Sequence, residues 1–109
     1  MKDEATTFTE IDNVFDALQI PDERARVGLS AAITGEIRRR GLTQTQAAKH
    51  LGIKQPDVSA IMNARIGGFS QERLERLLNA LDLEVRIQVG PRPAGRERAG
   101  ITVQVVESF

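Results

Sequence analysis

Side chains that could carry covalent or metal chemistry are nearly absent from this chain. It has no cysteine and a single histidine, His50. That removes disulfides, a thiolate nucleophile and any Cys/His cluster with zinc-site spacing. A nucleophile with a histidine base would depend on His50 alone, and His50 reads as an exposed helix residue. Carboxylates are present, but no paired acid–base motif stands out, and no glycine-rich phosphate loop occurs. The sequence therefore points to no catalytic residue, no metal ligand and no cofactor site, with an enzyme using carboxylate chemistry the class that composition alone leaves open. What remains is hydrogen-bonding chemistry concentrated between residues 43 and 65, where Thr43, Gln44, Gln55, Asp57, Ser59 and Asn63 lie among the cations Lys54 and Arg65.

Charge follows the same division. The whole chain is neutral, but residues 1–20 hold one lysine and five acids, a net −4, while residues 21–65 hold eight bases and four acids, a net +4. Residues 66–109 balance at six of each. A locally basic surface is enough to meet phosphates even where the sum is zero. The acidic stretch reads first as a solvated tail, with a role in holding a basic partner as the sharper alternative.

The elements that must position these side chains are legible from periodicity. Val14, Phe15 and Leu18 suggest one short amphipathic turn or helix over Asn13 to Leu18, before Pro21. A longer helix over about 22–40 carries the stripe Ala25, Leu29, Ala32, Ile33 and Ile37, weakened by Gly28 and Gly35. Arg38, Arg39 and Arg40 occupy its last turn, read as a solvated helix end, and Gly41 stops it. Thr43-Gln44-Thr45-Gln46 is a capping box, which predicts a helix over about 44–51 that Gly52 ends. Pro56 opens another running to about Asn63. Ser70 caps a last one over about 71–82, with Leu74, Leu77, Leu78 and Leu81 on one stripe.

The stretch from Gln44 to Ile61 meets the demands of a helix-turn-helix. Ala48 is small where the second helix must cross, and Gly52 tolerates a positive φ in the turn. Ala47, Leu51, Ile53, Val58 and Ile61 fall at inward positions. Pro56, Ser59, Ala60 and Asn63 share the opposite face of the second helix, with Asp57 beside them. That face is small and polar enough to enter a major groove about 12 Å wide.

On these residues the chain resembles a known family. Gly41-Leu42-Thr43-Gln44-Thr45-Gln46-Ala47-Ala48, Leu51-Gly52-Ile53 and Gln55-Pro56-Asp57-Val58-Ser59-Ala60-Ile61 are similar to the XRE (phage-repressor-like) family. Asn13-Val14-Phe15 and Gly68-Phe69-Ser70 resemble its HigA-type antitoxin branch. The resemblance implies a DNA-contacting set of Thr43, Gln44, Lys54, Gln55, Pro56, Asp57, Ser59, Ala60, Asn63 and Arg65. Within it, Gln44 would bond a phosphate and Gln55 an adenine edge, Ala60 would touch a thymine methyl, and Ser59, Asn63 and Arg65 would contact phosphate or base. Gln55 also reads simply as the residue before Pro56. Asp57 stands where many relatives carry a base; it either accepts from a cytosine amino group or favours its helix N-terminus. Asn63-Ala64 also departs from the family's usual pair.

After residue 82 the period changes to two. Leu83, Val85, Ile87 and Val89 alternate with polar residues, as do Ile101, Val103 and Val105, around a loop of five Gly and Pro between residues 90 and 100. This predicts a two-stranded element seeking a neighbour. The expected architecture is mainly α, a five-helix, lambda-repressor-like helix-turn-helix domain with a C-terminal two-stranded β element. Residues 1–20 form an acidic segment, 21–82 the DNA-binding domain and 83–109 a strand-based dimerisation element. The expected partners are a palindromic double-stranded operator, a second copy of the chain and, by resemblance, a RelE-like mRNA-cleaving toxin. A stand-alone regulator without a toxin is the alternative. The acidic start lacks a signal peptide's apolar stretch and no apolar run approaches about 20 residues, so a cytoplasmic protein without membrane contact is expected.

Overall fold

The computed structural model describes residues 23–107, which contain four helices: α1 (Glu23–Arg39), α2 (Gln44–Leu51), α3 (Gln55–Met62) and α4 (Gln71–Ala80). The short turn expected around residues 13–18 lies outside the described residues. The expected apolar stripes are the ones that meet. Ala25, Leu29, Ile33 and Ile37 of α1 are buried with Ala47, Ala48 and Leu51 of α2, Val58 and Ile61 of α3, and Leu74, Leu77 and Leu78 of α4. Ile66, Phe69 and Leu81 close the core from the connections. α1 packs most extensively on α4 and also on α3, while α2 packs on α3. With aliphatic side chains filling the centre, the fold rests on non-directional burial and close packing.

The helix ends explain why the elements stop where they do. Gly41 at φ 67° lets its N–H reach the Arg38 carbonyl at 3.0 Å while Leu42 N–H reaches Ile37 at 3.1 Å. This is the Schellman arrangement, in which a left-handed residue satisfies the last carbonyls of a helix. The same pattern ends α3 at Ala64 (φ 56°) and α4 at Asp82 (φ 61°), where no glycine supplies the conformation. At the start of α2 the capping box is complete: Gln46 N–H donates to Thr43 Oγ1 at 3.1 Å, and Thr43 N–H donates to Gln46 Oε1 at 2.9 Å.

Two expectations are corrected. There are four helices among the described residues, not five, and those residues contain no strand or sheet. The alternation after residue 82 marks side chains that seek cover rather than a ladder, and only some of them find it. Leu83 and Val85 lie half-buried against the helical core, and so does Val103, whose side chain is seated on Gly28 of α1. A Cβ on Gly28 would stand 2.6 Å from Val103 Cβ, so the tail crosses α1 where a side chain is missing. Packing on helices satisfies these residues, and an isolated two-stranded hairpin is marginal in water. Ile87, Val89 and Val105 stay well exposed. Among the described residues no helix is long and apolar enough to cross a membrane.

Candidate nucleic-acid interface

Two short helices joined at Gly52 (φ 70°) carry most of the polar set. Gly52 N–H and Ile53 N–H both reach the Ala48 carbonyl, which turns the chain sharply from α2 into α3. Val58 and Ile61 anchor α3 in the core. Its first turn is thereby held outward, with Gln55 and Pro56 exposed and Asp57 half-buried.

The amino ends of α2 and α3 are joined side chain to side chain: Gln55 Nε2 donates to Gln44 Oε1 at 2.6 Å. Each amide has two donors and an acceptor oxygen. After this bond Gln55 keeps its carbonyl oxygen and a second N–H, the pair that matches adenine N6 and N7. Gln44 keeps both of its N–H donors, suited to a phosphate oxygen. One bond thus fixes two side chains from separate helices in a single outward-facing unit.

The other expected residues are placed around it. Thr43 spends its hydroxyl on the cap and Lys54 occupies the N-cap position of α3 without a side-chain cap bond. Ser59 and Ala60 are half-buried, and Ala60 packs against the core, so its outward share is smaller than the helical wheel suggests. Asn63 lies just past α3 and donates from Nδ2 to the Ser59 carbonyl at 2.8 Å. Arg65 follows, exposed, beyond the left-handed Ala64. Lys49, Lys54 and Arg65 have no ion pair among the described residues, which leaves their charge for an incoming anion.

Charge elsewhere is already engaged. Arg39 and Arg40 both bond the Glu36 carboxylate, at 2.6 and 2.7 Å, while the run stays at a helix end with Arg38 and Arg39 exposed; Arg38 alone of the three has no such partner among the described residues. Hydrogen bonds from Arg39 and then Arg40 hold the Glu36 carboxyl down at about 2, against an ordinary 4.5. Sequence reasoning also missed Arg73 of α4. Its guanidinium stacks over the Phe69 ring at 4.5 Å and lies 3.7 Å from the Asp57 carboxylate. The available signal was a cation in a helix's first turn, where the macrodipole disfavours it.

Comparison with known proteins agrees with this geometry. Residues 16–90 match the family described as a helix-turn-helix domain. A solved structure named as an XRE family transcriptional regulator is 42% identical to the chain, with a TM-score of 0.65, covering 80% of this chain and 96% of its own. No curated protein matches the chain. The chain belongs to the helix-turn-helix domain family, of XRE type.

Proposed function

We propose that this member of the helix-turn-helix family is a sequence-specific repressor that seats α3 in the major groove of duplex DNA. The observation that carries the reading is the Gln44–Gln55 bond, which presents one phosphate donor and one base reader as a fixed pair. Lys54 and Arg65 flank the groove and supply phosphate contacts, which position the protein while Gln55 reads sequence. No catalysis is involved. The protein acts in the cytoplasm as a homodimer on a palindromic site.

Titration of the purified protein against its own upstream DNA and a scrambled duplex, across a salt series, tests this. Binding should weaken as salt rises. Gln55→Ala should lower affinity for the upstream DNA by about 1–3 kcal/mol and affect the scrambled duplex far less. Equal weak binding to both duplexes would remove the sequence-specific reading, and no binding at low salt would remove the repressor reading altogether.

The Gly68-Phe69-Ser70 entry to α4 and the Asn13-Val14-Phe15 stretch support a narrower role, that of an antitoxin repressing its own operon and neutralising an mRNA-cleaving, RelE-like toxin. A stand-alone regulator is favoured instead by the name of the solved relative, which mentions transcriptional regulation alone. Co-purification of the product of the adjacent gene separates the two.

A further inference from the structure

Asp57 is an acid on the face proposed to meet a polyanion, and that conflict needs a physical answer. Its carboxylate is 40% exposed, so burial does not remove it from an approaching phosphate. Arg73 comes from another helix, 16 residues along the chain, and lies 3.7 Å away. Two features fix the guanidinium there. It stacks over Phe69, a ring that is 4% exposed and part of the core, and it stands against the carboxylate. The Phe69 carbonyl is itself held by Arg26 Nη1 at 3.3 Å, so the platform under Arg73 is tied to α1. A planar guanidinium suits this position because one face can stack while its edge pairs with a carboxylate. The placement also breaks a local rule, since Arg73 lies in the first turn of α4, and such breaks commonly mark functional positions.

We infer that Arg73 is a specificity-determining positioning residue: stacked on Phe69, it neutralises and orients Asp57 so that this carboxylate accepts from the exocyclic amino group of a cytosine in the bound DNA. The inference rests on α3 being the DNA-reading helix. Without Arg73, Asp57 repels phosphate wherever the protein docks. With it, the pair is locally neutral and Asp57 contributes discrimination rather than repulsion. Cytosine is the base implied because its N4 is a donor in the major groove and a carboxylate only accepts.

The test selects preferred sites from a randomised duplex pool with wild type, Asp57→Asn, Arg73→Ala, Arg73→Lys and the double variant Asp57→Asn/Arg73→Ala, after thermal unfolding shows that each folds. The wild-type pool should hold one C·G position whose preference is lost in both Asp57→Asn and Arg73→Ala. On the selected duplex, Arg73→Ala should weaken binding about tenfold. Adding Asp57→Asn to it should recover most of that loss, because the repelling charge is gone. Arg73→Lys should keep the salt dependence near wild type yet lose the cytosine preference, a split that a merely structural arginine would not produce. Equal losses from Arg73→Ala with and without Asp57, or an unchanged preferred site in both single variants, would overturn the inference while leaving the DNA-binding reading intact. A wild-type pool with no preferred sequence would overturn that reading first, and this inference with it.

Discussion

At the scale of single residues, Glu36 ties stability to pH. Its carboxyl is lowered to about 2 by hydrogen bonds from Arg39 and Arg40. A folded-state value below the unfolded one adds stability that is complete above about 4.5 and is lost as pH falls from there toward 2. Glu36→Gln should cost about 1–2 kcal/mol at neutral pH, as expected for breaking charge-assisted hydrogen bonds. Denaturant unfolding of both proteins between pH 7 and 2 should bring the two stabilities together as the pH drops. Parallel curves would assign the acid sensitivity elsewhere. The helix ends that place Thr43, Gln44, Gly52 and Gln55 were readable because capping and turn chemistry are local and follow from neighbours within a few positions. The partnerships were not. Gln44 with Gln55, Asp57 with Arg73, and Arg40 with the Leu81 carbonyl join residues separated by 11, 16 and 41 positions, and only packing brings them together.

At the scale of elements, α1 shows a glycine serving a contact. Read along the chain, Gly28 only weakens the helix; in the fold it is the seat of Val103. Gly28→Ala should therefore act in two directions. Alanine improves helix propensity by about 1 kcal/mol, while its methyl displaces the tail. The expected result is a nearly unchanged melting temperature together with faster tryptic cleavage at Arg96 and Arg98. Cleavage at the wild-type rate would mean that the tail is not held at this point. The four described helices were legible to within about two residues, because apolar stripes and caps are properties of each segment. The tail was misread because a period of two says which side chains want burial, not what will cover them. For Leu83, Val85 and Val103 the helical core offered that cover, at Gly28 of α1 in the case of Val103, and a second strand did not.

For the whole molecule, one copy offers a single α3, and a short reading surface gains specificity by being used twice. The proposed homodimer places two such helices in successive major grooves, about 34 Å apart. Footprinting on upstream DNA should then show two protected half-sites about 10 base pairs apart, centre to centre, on one face of the duplex. Sedimentation at micromolar concentration should give a dimer, and a monomer's mass there would count against the assembly. Ile87, Val89 and Val105 are the most exposed of the large apolar side chains among the described residues. Net charge alone hides which cations remain for an anion: among the described residues two arginines are engaged by Glu36 and one by Asp57, while Arg38, Lys49, Lys54 and Arg65 have no ion pair.

The bond from Arg40 to the Leu81 carbonyl has a mechanical meaning. It sits where the chain leaves α4, and Leu83 N–H returns to Leu78 just beyond it. Tension on the tail, whether from a bound protein or from a protease that threads the chain, meets Val103 on Gly28 first and this clamp next. Beyond the clamp the load passes into the broad α1–α4 contact, leaving α3 off the direct line of force. The carboxyl-terminal segment is thus tied down at Gly28 and at Arg40, and neither point lies on α3.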